Sequence, residues 1–147
     1  MLDGEAPPAA TQRAAARHDL DIAEHRSRVI TAEMIESADL VAVMTNQHAR
    51  QTIELVPSAR QRVFTLKELP RIAPAVDPRS AGEALADWLE RLDAERGAMP
   101  HVGVRGDNDV DDPYGRPDRV HRRVAAEVVD LVDQLVECTL IEKEPST

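Results

Sequence analysis

The apolar positions change period several times along the chain, and each change predicts an element. Asp39 to Thr45 (DLVAVMT) is a continuous, valine-rich apolar run, the signature of a parallel strand buried on both faces. Val63-Phe64-Thr65-Leu66 predicts a second short strand. Between them Ala49, Ile53 and Val56 fall at helical spacing, with Asn46 as the expected cap and Pro57 as the stop. Strand, helix and strand separated by short turns make a βαβ unit, which points to an α/β fold with a parallel sheet. Upstream, residues 1–10 read as a loop, Thr11 to His18 as an alanine- and arginine-rich helix, and Thr31 as the cap of a short helix reaching Ser37. Downstream, the prolines of the 70–78 stretch predict an excursion from the sheet. Ser80-Ala81-Gly82-Glu83 then reads as a capping box for a helix with Ala81, Leu85, Trp88 and Leu92 on one face, closed by Gly97 and Pro100. A last helix is expected from Pro117, with Asp118 in its first turn and Val120, Val124, Val128, Leu131 and Leu135 on one buried stripe. The tail at 141–147 is polar.

Composition narrows the class. A chain of 147 residues has room for a single domain, 1–147, with one modest core, and an aromatic content of 2% makes that core light. The formal net charge of -9 argues against a nucleic-acid or membrane-surface partner. No apolar run approaches the length of a membrane span, and no basic segment leads into an apolar run at the N-terminus. The single cysteine, Cys138, excludes an internal disulfide framework and fits a reducing cytoplasm.

The candidate chemistry gathers at Asp111-Asp112-Pro113-Tyr114-Gly115. Two adjacent carboxylates beside a shared apolar wall do not easily both ionise, so one is expected to have a raised pKa, as a general acid requires. Pro113 stiffens the loop, Gly115 permits a sharp turn, and Tyr114 is the sole tyrosine. The plainer reading of the same five residues is a solvated acidic turn before a helix. Asp107, Asp109 and Asp111 alternate like the start of a calcium loop, but Asp112 stands where that loop needs glycine and Asp118 where it needs glutamate. A solvated acidic loop is the better reading. His18, His25, His48, His101 and His121 have no neighbours at ligand spacing, so neither a metal nor a cofactor is expected. Arg105-Gly106-Asp107 reads as a chance tripeptide, and Arg122 and Arg123 as a solvated helix face.

Together these pieces resemble the low-molecular-weight protein-tyrosine phosphatase family. The matches are His25-Arg26-Ser27-Arg28 followed by Ile30-Thr31, the 39–45 strand with its exit at Asn46, the 63–66 strand, and Asp112-Pro113-Tyr114-Gly115 ahead of a C-terminal helix. They cover roughly residues 4–69 and 107–138, and the 70–108 stretch reads as an inserted loop and helix. The resemblance implies a three-layer α/β fold and hydrolysis of a phosphotyrosine protein through a phosphocysteine. By resemblance Asp112 is the general acid, Tyr114 a wall for the substrate ring, and His25 the residue that orients the phosphate loop. The family's C-x5-R loop, whose cysteine attacks phosphorus, has no match here, since Cys138 has no arginine six residues on.

That departure sets further expectations. The family's first two strands would be missing, leaving a strand edge open to self-association, and the chain would be inactive by itself. Met1 would then be an internal methionine of a longer frame or the start of a truncated paralogue. A non-catalytic binding or regulatory remnant is the alternative function. Arsenate reductase, which shares the fold, needs relay thiols that residues 40–100 do not contain.

Overall fold

A computed structural model describes residues 3–98 and 107–139, with side chains to residue 96 in the first segment. Met1, His101, Pro100, Arg105-Gly106 and the 141–147 tail, all singled out above, lie outside the described residues. Two short parallel strands, β1 (Val41–Val43) and β2 (Val63–Thr65), pair with Val41 opposite Val63 and Val43 opposite Thr65. The helices are α1 (Ala9–Ala16), α2 (Ala32–Ser37), α3 (Asn46–Leu55), α4 (Glu68–Ile72), α5 (Leu85–Ala98) and α6 (Asp118–Thr139). Short 3-10 turns span Pro57–Arg62 and Ala73–Ala75.

The alternation of side chains along β2 divides the core. Val63 joins Ile35, Val41, Val43, Val56 and Ala59, a cluster closed by α2 and α3. Phe64, its neighbour, enters the opposite cluster with Leu69, Ile72, Trp88, Leu89 and Leu92, drawn from α4 and α5. Leu135 and Cys138 of α6 pack against this second cluster, so helices cover both faces of a small parallel sheet. The helix α1 lies on α6, where Thr11 Oγ1 stands 3.1 Å from Nδ1 of the buried His121 and Arg13 pairs with Asp118 at 2.8 Å.

Several expectations change in detail. The strand expected over 39–45 is ordered as a ladder only at 41–43, and Ala42 is exposed. Among the described residues only β2 pairs with β1, and none covers Ala42, so the run is not buried on both faces. Helix α1 begins at Ala9, inside the expected loop, because Pro8 sets the extended entry just before it. Thr45, not Asn46, caps α3: its Oγ1 accepts the His48 N–H at 3.1 Å. Thr31 caps α2 as expected, accepting the Met34 N–H at 3.3 Å.

The start of the proline-rich stretch packs into the core, whereas Pro74, Ala75, Asp77 and Pro78 are exposed. Pro70 sits in the first turn of α4, where its missing N–H costs nothing, and Leu69 and Ile72 are fully buried. Only half of the expected capping box forms: Ser80 N–H donates to Glu83 Oε2 at 3.1 Å, but the Glu83 N–H donates to the Ser80 backbone carbonyl at 3.1 Å and not to its hydroxyl. Gly82 takes a φ of +89°, so this is a closed turn ahead of α5 rather than its cap, and Ala81 is exposed. Glu83 instead binds Arg91 of α5 at 2.9 Å. Among the described residues no helix is long and apolar enough to cross a membrane.

Leu92 is fully buried in the Phe64 cluster, whereas Val132 on α6 is 41% exposed. Leu92→Ala is expected to destabilise the fold by about 2–5 kcal/mol through lost contact and a residual cavity. Val132→Ala should change stability by no more than about 0.5 kcal/mol. Urea midpoints of the two variants against the parent chain measure the difference.

Candidate functional site

The acidic loop is held by three consecutive residues before it reaches solvent. Asn108 is 1% exposed, its Oδ1 accepting from Arg71 Nη2 and its Nδ2 donating to Asn46 Oδ1 at 3.4 Å. Asp109 Oδ1 accepts the N–H of Asn46, the first residue of α3, at 2.7 Å. Lys67 Nζ donates to the Asp109 carbonyl at 2.8 Å and pairs with Glu127 of α6 at 2.6 Å. The buried Val110 then donates its N–H to Met44 O at 2.9 Å, just past the C-terminal end of β1. Val43 O accepts from Leu66 on the β2 side, so the alternation of a strand puts Val110 on β1's other edge.

Beyond Val110 the chain is exposed. Asp111 and Asp112 diverge, as expected of neighbours in an extended loop. Asp111 Oδ2 accepts from Arg123 Nη2 of α6 at 2.5 Å, and Asp112 Oδ1 accepts the Tyr114 N–H at 2.9 Å, closing a short turn over Pro113. Gly115, with a φ of +69°, and a bond from Arg116 N–H to Pro113 O at 2.9 Å turn the chain into Pro117 and α6. Tyr114 is 76% exposed.

The electrostatics correct the expectation of a shared apolar wall. Both carboxylates face solvent. The hydrogen bond and charge of Arg123 hold the Asp111 carboxyl below the usual aspartate range, so adjacency does not raise it. Arg123, read from sequence as part of a solvated face, is the partner that decides this. Asp109 likewise leaves the solvated-loop reading: its side-chain oxygen and its carbonyl both make bonds inside the protein.

The other candidates lie apart. His25 is exposed, its backbone N–H bonded to Ile22 O at 3.1 Å and its carbonyl accepting from Arg26 Nη1 at 2.6 Å. Among the described residues no bond joins the His25 ring to Asp112 or Tyr114. Cys138 is at the far end of α6, about 30 Å along the helix from Asp118 at 1.5 Å per residue. Burial, and then the nearby Glu137, push its thiol above the ordinary range, which disfavours the thiolate a nucleophile needs. Beside β1 an open apolar groove of about 380 Å³ is lined by Ile30, Ala42, Met44, His48 and Leu55 among others.

The low molecular weight phosphotyrosine protein phosphatase family matches residues 2–94, well over half of the sequence. The chain belongs to that family. Similar proteins include a probable low molecular weight protein-tyrosine-phosphatase, EpsP, of Ralstonia nicotianae, 30% identical over 94 residues that are 62% of this chain and 63% of the relative. The protein-arginine-phosphatase of Bacillus subtilis is 42% identical over 67 residues, 45% of this chain and 43% of its own length. Among solved structures, the low molecular weight protein tyrosine phosphatase from T. tengcongensis superposes with a TM-score of 0.63 at 25% identity, over 92% of this chain and 69% of that one. The chain thus spans less than two thirds of the length of these curated relatives. The family match ends at residue 94, ahead of the acidic loop, whose reading rests on its own residues.

Arg123→Ala should return the Asp111 carboxyl to the ordinary range, followed by carbon NMR of its side chain. Because the folded carboxyl is depressed, the ion pair contributes above the ordinary value of about 3.9 and fades as pH falls through the lower folded value. The parent chain should therefore lose more stability than the variant between about pH 4 and pH 2. The pair is exposed, so the difference is small.

Proposed function

We propose that this chain contributes the general acid to hydrolysis of a phosphorylated protein side chain, and that Asp112 is that acid. The observation that carries the reading is the geometry of Asp112-Pro113-Tyr114, an exposed loop pinned to the end of a parallel strand, where α/β proteins gather ligands. The bond from Tyr114 N–H occupies Asp112 Oδ1 and leaves Oδ2 without a protein partner among the described residues. In the family's chemistry a cysteine thiolate attacks phosphorus, and the acid protonates the departing phenolate oxygen. The same carboxylate then takes a proton from the water that releases phosphate from the cysteine. Tyr114 would stand against the substrate ring, and His25 would orient the phosphate loop.

The sole cysteine is on α6 with a raised thiol pKa, so these 147 residues by themselves are expected not to turn over substrate. Saturable hydrolysis of p-nitrophenyl phosphate by the purified chain, lost in Asp112→Ala, would overturn this. Joined to a family strand and phosphate loop, the chain should gain activity, and Asp112→Asn should then lower turnover by roughly 10²–10⁴-fold. Asp111→Asn should move only the pH optimum. Equal losses in the two variants would assign the wrong carboxylate.

The likeness to a protein-arginine-phosphatase favours a second substrate reading, phosphoarginine. Competition of phosphotyrosine and phosphoarginine peptides in the joined enzyme separates the two.

The partner surface is the part of β1's outer edge that Val110 leaves uncovered. Ala42 faces that edge, flanked by the exposed Ile30, Met44 and Leu55. Two copies would pair there about a two-fold axis. A three-residue strand and a net charge of -9 make this association weak. Sedimentation at increasing concentration should show a dimer that Ala42→Pro abolishes.

A further inference from the structure

Asp109 has a position that the acid-base reading does not use. Its carboxylate meets the first N–H of α3, a ten-residue helix whose own first turn carries no acidic residue. A carboxylate at that end interacts with the positive pole of the helix as well as with one N–H. The residues on either side are also bonded to the body of the protein. Asn108 is held by Arg71 and Asn46, the Asp109 carbonyl by Lys67, and the Val110 N–H by Met44. Three residues beyond Asp109 lies Asp112, on a stretch exposed from Asp111 onward.

We propose that Asp109 is the positioning residue of the acid loop, fixing its exit from β1 by clamping it to the N-terminus of α3. The proposal rests on the reading of Asp112 as general acid for its catalytic meaning, and on the structure alone for the clamp. Asn46 is the hinge partner: it receives the Asp109 carboxylate on its backbone and the Asn108 amide on its side chain. Without the carboxylate the segment loses the bond that sets its rotation, and the neighbouring Val110 N–H bond to Met44 O loosens with it.

Amide hydrogen exchange in the 147-residue chain tests the clamp without reference to activity. In Asp109→Ala the Asn46 and Val110 amides should exchange roughly ten- to a hundredfold faster, the range for losing a hydrogen bond to a charged group. The Phe64 and Leu66 amides should be unchanged. Asp109→Asn keeps an acceptor and should restore most of the protection. Unchanged Asn46 and Val110 amides in the alanine variant would overturn the proposal, as would an equal loss across the β2 amides or a failure of asparagine to rescue. In the joined phosphatase, Asp109→Ala should lower kcat at nearly constant KM, with recovery in Asp109→Asn. An Asp112→Asn variant without effect on kcat would defeat the general-acid reading while leaving the exchange result to judge the clamp.

Discussion

Burial of β2 on both faces is the constraint on which the other elements depend. Val63, Phe64 and Thr65 are each at most 1% exposed, so the strand must be covered from two sides by side chains of opposite direction. The first side recruits α2, α3 and the Pro57–Arg62 turn, and the second recruits α4, α5 and part of α6. Its backbone is also tied laterally. Arg96 of α5 donates to Val63 O at 2.8 Å and lies 3.9 Å from the Phe64 ring centroid. Desolvation pushes the Arg96 guanidinium below its ordinary pKa, and the neighbouring Glu68 and Asp93 carboxylates oppose that shift. A buried cation is tolerated here because it has a carbonyl, a ring face and two carboxylates around it.

The same strand reaches the candidate site through Lys67, two residues past its end. Lys67 bridges Glu127 of α6 and the carbonyl of Asp109, joining the sheet, the last helix and the acid loop in one polar chain. Arg123, one helical turn before Glu127, holds Asp111 and so turns that carboxylate away from Asp112. Exposed pairs of this kind add little stability one by one. Their effect is on direction: the loop leaves β1 with Asp111 committed to α6 and Asp112 committed to its own turn.

The loop lies against the C-terminal end of a strand that the family match contains, although the match does not reach the loop itself. In parallel α/β architecture that end of the sheet is where helix N-termini and loops meet a ligand. Here α3 directs its N-terminus there, with Asp109 already bound to it.

The sequence by itself determined the βαβ core, because short-range periodicity marks where elements lie: the strands at 41–43 and 63–65 and helix α6 were legible, although Ala42 is exposed and of the α6 stripe only Val124 is buried while Val120, Val128, Leu131 and Leu135 are half-buried. It also carried the Asp112-Pro113-Tyr114-Gly115 loop, since turn chemistry is local. What it did not carry are contacts between residues far apart in the chain. Nothing local distinguishes Asp109 from Asp107, or Arg123 from Arg122, or marks His121 as the buried partner of Thr11. The start of the proline-rich 70–78 stretch read as a departure because the burial of Ile72 comes from α5, which follows it. Which acid is ion-paired, which caps a helix and which closes only its own turn was decided when β2 brought α3, α6 and the loop together.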